Sequence, residues 1–399
     1  MIDVRPARPE EVPEILDLLS HYEVATGYFE PWYLEDPEYR SEDSWIVREH
    51  GNLVGHLRVF PRRLHLAGGA DMPVAGIGNV ITHPDHRGRG HAATLLQVSL
   101  AEAKREGYAF SLLWTHVPQV YERHGFGASS QLVLELDPST STSSDSLSRQ
   151  GGQERYQLAS FGEQDLPELS ALYDVANHGR AATTVRTTAY WRGLLARTPP
   201  DTLWLLARTP RGSLAGHLRA IVGPGGDVII EELSCLPQDG DAARFLLAAA
   251  AGSRSKRARL VAPPSYEALF GDQVLGKSRA AGLMGRPLHL GAFAEALGLL
   301  LSDQLAGAGL DAFRVRLLEA DPADSDILVN PDGAHLVPTD TSPPAASLDA
   351  GQLTSLLFGG EPEKRRDTSV DVPATEPITA TAERLFPADD PVLWPADAF

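Results

Sequence analysis

The segment Val80-Ile81-Thr82-His83-Pro84-Asp85-His86-Arg87-Gly88-Arg89-Gly90-His91-Ala92-Ala93-Thr94-Leu95-Leu96 reads as a strand, a glycine-broken loop and the start of a helix. Gly88 and Gly90 lack a Cβ, so the backbone can turn tightly and come close to a ligand. The loop sets several N–H groups at a helix N-terminus, where the dipole is positive, an arrangement that suits a phosphate or pyrophosphate. Arg87 and Arg89 add charge-assisted donors. The competing reading is an ordinary strand-to-helix turn, because turn glycines are common.

Two further groups carry possible chemistry. Phe110–Thr115 reads as a strand and is followed by His116-Val117-Pro118 and then Val120-Tyr121-Glu122-Arg123-His124-Gly125-Phe126-Gly127. Tyr121 keeps its proton at neutral pH, with an ordinary pKa of about 10, so it either donates that proton or packs beside Phe126. Between Tyr22 and Trp45, the aromatics Tyr22, Tyr28, Phe29, Trp32, Tyr33 and Tyr39 interleave with Glu23, Glu30, Glu35, Asp36 and Glu38. Aromatic faces and carboxylates suit a cationic amine; the same pattern also fits a helix-packing core with solvated acids. Glu23 and Trp32 are the preferred pocket residues.

The elements that must position these groups follow from pattern. Ala75–Thr82 is an apolar run, and Leu95, Leu96, Leu100 and Ala103 fall at helical spacing over Ala92–Glu106. A chain of 399 residues is long enough for two or three domains. Pro138–Ser146 is polar and low in complexity, and with Gly151-Gly152 it reads as a linker over 138–153, closing a first domain at 1–137. Gly55-His56-Leu57-Arg58 recurs as Gly216-His217-Leu218-Arg219, and Val12-Pro13-Glu14-Ile15 resembles Leu166-Pro167-Glu168-Leu169 in the same order. This predicts a duplicated α/β unit, with the second copy at 154–285. That copy has Asp239 and Asp241 where the first has its basic loop. Acids there would repel a pyrophosphate, so one nucleotide site and a scaffold role for the second copy are predicted. Residues 286–399 read as an α+β domain: helices over Phe293–Gly307 and Leu348–Leu357, strands over Phe313–Glu319 and Asp326–Val329, a turn at Asn330-Pro331-Asp332-Gly333, and a last helix over Thr379–Phe386 after proline-rich Asp371–Pro377.

Composition bounds the rest. Net charge is -18, which argues against general nucleic-acid binding. No apolar run reaches the roughly 20 residues of a membrane span, and Met1–Arg5 lacks the pattern of a signal peptide. With one cysteine, Cys235, no intrachain disulfide or cysteine zinc cluster forms. A cytoplasmic enzyme is the simplest expectation. Gly271–Ser278 satisfies a P-loop pattern, but Pro263-Pro264 upstream and Gly282, Gly285 and Pro287 downstream oppose its strand and helix. His83, His86 and His91 match no zinc spacing, and no metal is expected.

The pattern Arg87-x-x-Gly90-x-Ala92 after a strand resembles the acyl-CoA pyrophosphate loop of the GNAT acetyltransferases. Two GNAT-like halves, a smaller α+β domain and a terminal Phe399 resemble the Eis (enhanced intracellular survival) type within that family. Arg186 with Tyr190-Trp191 looks like that type's second domain. The fold class implied is α/β and α+β: two tandem GNAT-like domains and a sterol-carrier-protein-like C-terminal domain. The resemblance implies direct acetyl transfer from acetyl-CoA to an amine of a cationic small molecule (an aminoglycoside, a polyamine or a lysine-like amine). Val80, Ile81 and Thr82 would face the pantetheine arm, Arg87, Gly88, Arg89, Gly90, His91, Ala92 and Ala93 the pyrophosphate, and His116 and Val117 the far side of the cofactor. Gly88 departs from an expected basic residue, and His116 from a small hydroxyl residue. Tyr121 would be the general acid for the leaving thiolate. The Phe399 α-carboxylate would be the general base. A homohexamer is also implied. The rival expectations are a longer-chain acyltransferase, like the N-myristoyltransferases, and a non-catalytic CoA- or lipid-binding protein.

Overall fold

The computed structural model describes residues 2–139, 149–150, 153–223, 225–252, 255, 257–308, 311–318, 325–339, 346–358 and 390–397. Phe399, the helix expected over Thr379–Phe386, the stretch Asp371–Pro377 and most of the linker lie outside these residues.

The first half runs β1 (Ile2–Pro6), α1 (Val12–Leu19), α2 (Glu30–Leu34), β2 (Ser44–Glu49), β3 (Asn52–His65), β4 (Asp71–Thr82), α3 (His91–Arg105), β5 (Phe110–Trp114), α4 (Pro118–Glu122) and β6 (Gly127–Leu136). Helix α1 buries Val12, Ile15, Leu18 and Leu19, one apolar stripe at helical spacing. Helix α3 buries Leu95, Leu96, Leu100 and Ala103. The second half repeats the order as β7 (Gln157–Ser160), α5 (Leu166–Asn177), α6 (Thr188–Ala196), β8 (Leu203–Arg208), β9 (Leu214–Val222), β10 (Val228–Cys235), α7 (Gly240–Ala251), β11 (Ala258–Val261), α8 (Ser265–Phe270) and β12 (Val274–Pro287).

The duplicated tetrapeptides fall on equivalent strands, β3 and β9. Their glycines serve one purpose, the close approach of a helix. A Cβ on Gly55 would lie 3.3 Å from Leu95 of α3, and one on Gly216 would lie 3.4 Å from Ala242 of α7. The imidazoles of His56 and His217 are both fully buried, and the side chains of Arg58 and Arg219 nearly so.

The two halves share a twelve-stranded sheet in the order β1-β2-β3-β4-β5-β12-β6-β11-β10-β9-β8-β7. Strand β6 leaves the first half to pair with β11 of the second. Strand β12 returns to lie between β5 and β6, running antiparallel to both. Each half thus lends a strand to the other. The P-loop-like Gly276-Lys277-Ser278 lies within β12 instead of opening a helix, and Lys277 is paired to Glu267.

Strands β13 (Phe313–Leu317), β14 (Ser325–Asn330), β15 (Gly333–Pro338) and β16 (Ala346–Leu348) form a separate four-stranded sheet in the order β15-β14-β13-β16. Helices α9 (Leu290–Ala308) and α10 (Ala350–Phe358) accompany it. This is the expected α+β pattern. Phe293, Leu297, Leu301, Phe313, Leu353 and Phe358 share one core with Leu64, Met72, Val74 and Phe110 of the first half. The segment 390–397 lies between cores: Val392 and Trp394 belong to the second half's core, Leu393 to the shared one. No helix among the described residues is long and apolar enough to cross a membrane.

Candidate active site

Strands β4 and β5 run parallel and pair only from Val74–Phe110 to Ile77–Leu113. Beyond that point they part, because β4 bulges. The register against β3 shifts between His56 and Arg58, and Asn79 takes a left-handed φ of 51°. Three side chains hold this bulge. His56 donates from Nδ1 to the Asn79 carbonyl at 2.9 Å. Asn79 Nδ2 donates to the Tyr33 hydroxyl at 2.9 Å, and the Tyr22 hydroxyl donates to the Val80 carbonyl at 2.6 Å. Burial pushes His56 down to about 3, so the imidazole in the bulge is neutral. Val80 is expected to face the cofactor arm, and its carbonyl accepts one of its two possible hydrogen bonds from Tyr22.

At the far end of β4 the loop turns as its glycines allow. Gly88 and Gly90 have φ of 77° and 83°, and Gly90 precedes α3. No side chain caps α3 and no acid lies in its first turn. The leading N–H groups, from His91 through Ala93, therefore remain for an anion. Arg87 is exposed, with Nε 3.4 Å from the Thr82 carbonyl. Arg89 instead donates to Glu49 at 2.9 Å, and His86 lies 2.7 Å from the same carboxylate oxygen. Sequence reading missed Glu49, which sits on β2, remote in sequence. Glu49, His86 and His91 place their ligand atoms within 4.8 Å of one another. The Arg89 guanidinium already sits on that carboxylate, a poor setting for a second cation.

Where β4 and β5 separate, a cavity of about 770 Å³ opens. Ile77–Val80 line one side, Trp114–Val117 the other, and Tyr121 reaches in from α4. The expected residues Val80, His116, Val117, Tyr121 and Trp32 thus meet at one place. Ile81 is buried, with its side chain in a neighbouring core. Tyr121 is 9% exposed and packs edge-on to Phe126 at 6.1 Å. Burial pushes its pKa up, so its proton is retained. The packing and proton-donor readings of Tyr121 are therefore compatible.

Trp32 is fixed from both halves. Its ring meets Phe60 edge-on at 5.9 Å and has the Arg197 guanidinium 4.9 Å above it. Its carbonyl accepts from Arg58 at 2.6 Å. Arg58 in turn pairs with Asp36 at 3.3 Å and lies over Phe60 at 4.2 Å. Glu23 is exposed and is not part of the cavity lining. The carboxylate-rich lining expected between Tyr22 and Trp45 is therefore not what the cavity presents: Glu23, Glu30 and Glu35 are exposed, and Asp36 and Glu38 pair with arginines. Its charged lining comes from Arg197, Arg219 and Glu231 of the second half. The second half, expected as scaffold, thus supplies the charged lining of this cavity. The repeat carried a signal for this, since Arg219 is the counterpart of Arg58.

Pro395 and Ala396 also line the cavity. Asp397, next in the chain, is buried and accepts from Arg186 Nε at 3.0 Å and from the Tyr190 hydroxyl at 2.6 Å. Arg186 is also forked onto Glu232 at 3.0 and 2.7 Å. The Trp394 indole donates to Asn177 at 3.1 Å. Arg186 and Tyr190 thus anchor the last described segment against the site.

Residues 3–129 match the acetyltransferase (GNAT) domain family. Over 134 residues the chain is 31% identical to an uncharacterized N-acetyltransferase of Streptomyces avermitilis, covering 32% of this chain and 31% of that protein. The chain spans about a third to a half of the length of the curated relatives it matches. A GCN5-related N-acetyltransferase from Anabaena variabilis superposes with a TM-score of 0.71 at 17% identity, covering 98% of each chain. Eis1 from Mycobacterium abscessus superposes with a TM-score of 0.65 at 15% identity, covering 100% of each. These structural likenesses establish a shared fold, and residues 3–129 carry a GNAT acetyltransferase domain.

Proposed function

We propose that this protein is an acetyl-CoA-dependent N-acetyltransferase of the Eis type, acting on an amine held in the cavity between the two halves. The observation that carries the reading is the alignment of three features: an uncapped α3 behind Gly88 and Gly90, the parting of β4 and β5, and a buried Tyr121 where they part. The pyrophosphate lies against the first turn of α3, with Arg87 free to reach it. Acetyl-CoA threads between the strands and presents its thioester to the cavity. No metal takes part.

The amine nitrogen attacks the thioester carbonyl, forming a C–N bond, and the C–S bond breaks. The departing thiolate takes the Tyr121 proton. The proton lost by the amine goes to a base. In this reading the base is the α-carboxylate of Phe399, because Pro395 and Ala396 bring the chain to the cavity wall and Asp397 is clamped beside it. The acceptor is a cationic small-molecule amine, lysine-like, polyamine or aminoglycoside. Residues 286–399 act as a sterol-carrier-like unit that delivers this segment. A cytoplasmic homohexamer belongs to the same reading.

The test is CoA-thiol release from acetyl-CoA with an untagged C-terminus, across these amines. Amine-dependent release should fall about 100-fold in kcat for Tyr121→Phe, with acetyl-CoA Kd held within about twofold. Deleting Phe399 should also lower kcat and spare acetyl-CoA binding. Unchanged turnover in Tyr121→Phe removes the phenol from the chemistry. No release with any amine, despite acetyl-CoA binding, defeats the acetyltransferase reading.

A further inference from the structure

The charge on the cavity wall is arginine-rich. Among the described residues that line the cavity, Arg197 and Arg219 face Glu231 as the acidic member. Asp36 lies behind the wall, shared between Arg58 at 3.3 Å and Arg197 at 3.8 Å.

Arg219 is the member least satisfied. It is 4% exposed, yet among the described residues its Nε and Nη1 have no hydrogen-bond partner. Its Nε lies 3.3 Å from Glu231 Oε2, close enough for Coulomb attraction but without hydrogen-bond geometry, so that oxygen is unpartnered too. Burial pulls the Arg219 pKa below the usual arginine value, as expected for a guanidinium short of acceptors. An ion pair that leaves buried hydrogen-bonding atoms unsatisfied is costly, and such groups occur where a ligand completes the set. The Arg219 guanidinium lies over the Trp204 ring at 5.4 Å. Tyr28, on the first half, lines the same cavity as the pair.

We propose that Arg219 and Glu231 form a head-group clamp, so that the preferred acceptor is an amine that also carries a carboxylate, as an amino acid does. The carboxylate meets Arg219 and an adjacent ammonium meets Glu231. The amine that is acetylated is a separate one, extending along Trp32 and Tyr28 towards Tyr121. This rests on the acetyltransferase reading and narrows its acceptor to the lysine-like class. It runs against the pull of the chain as a whole, whose net charge of -18 favours the more cationic amine.

Three acceptors separate the two effects. Lysine carries the carboxylate, lysinamide replaces it with an amide, and cadaverine lacks it. With the full-length protein and acetyl-CoA, kcat/KM for lysine should exceed that for lysinamide and for cadaverine by about 10- to 100-fold, the range of a charge-assisted hydrogen bond. Arg219→Gln should bring the lysine-to-lysinamide ratio towards 1, while Arg219→Lys keeps part of it. Equal or better use of lysinamide or cadaverine by the wild-type protein overturns the inference, whatever the variants do. If no amine is turned over, the acetyltransferase reading fails. Calorimetric titration of the CoA-loaded protein then still reads the clamp. Tighter binding of lysine than of cadaverine supports it, and equal or weaker binding refutes it.

Discussion

Asp397 offers a measurable test of how the last described segment is held. Its Oδ1 accepts from Arg186 Nε and the Tyr190 hydroxyl, all three side chains being buried. In Asp397→Ala, these two donors lose their acceptor. Each buried donor left unpaired costs about 1–3 kcal/mol. Removing one partner of a buried ion pair can cost about 3–5 kcal/mol when the other charge is orphaned. Here Glu232 still grips Arg186 with two hydrogen bonds, so the charge is not orphaned and the lower figure applies. The expected loss is about 3 kcal/mol, which is about two decades in an opening constant. The assay is native-state amide hydrogen exchange at Val392, whose N–H donates to the Ala181 carbonyl at 3.0 Å. Its exchange should quicken about 100-fold. Asp390→Asn is the control, because Asp390 bonds Arg180 and Ser265 in a partly exposed setting and should cost about 1 kcal/mol. Equal effects of the two substitutions, or a rise below about fivefold for Asp397→Ala, would refute the view that the buried ion cluster holds the segment. Apolar burial of Trp394 would then be the main restraint.

Other perturbations have equally definite outcomes. His56, with a folded pKa of about 3 against an unfolded value of about 6.5, stays neutral in the fold while the unfolded chain takes up a proton. Its stabilising share is therefore complete above about pH 6.5 and declines as pH falls, by about 2 kcal/mol at pH 5. Urea midpoints measured at pH 7 and pH 5 should differ less in His56→Gln than in the parent. Gly90→Ala forces a Cβ into a φ of 83° but meets no atom within 4 Å. It should cost about 1–2 kcal/mol through backbone strain alone and weaken acetyl-CoA binding in calorimetry. Gly127→Ala drives a Cβ into the backbone of Ala350 and Gly351. It should unseat α10, seen as rapid exchange over 350–358 with α3 still protected.

The legible parts of this molecule are those set by local chemistry. The Gly88–Gly90 loop, the start of α3 and the strands on either side follow from glycine conformation and apolar periodicity. The repeat was visible as two tetrapeptides because the same helix approach demands glycine at both Gly55 and Gly216. Tyr121 stood out by its position between a strand and a Gly-Phe turn. The cavity wall was not legible in the same way. Trp32 was found from aromatic density, but Glu23, chosen by the same argument, is exposed. Sequence gives the composition of a turn and not the side of it that faces a cavity.

From the order of residues alone come the two α/β repeats, the glycine-broken strand-to-helix loop of the first, and the α+β unit after them. These depend on periodicity and on the few residues that a tight turn tolerates, both of which are local. The exchange of strands β6 and β12 between the halves came only with folding, as did the cavity begun by the first copy and completed by Arg197, Arg219 and Glu231 of the second. Folding alone set Arg89 on Glu49 and Asp397 on Arg186. Such pairings are fixed by which strands lie side by side in the sheet. The charge that a ligand meets in the cavity is the sum over residues far apart in the chain, and only folding performs that sum.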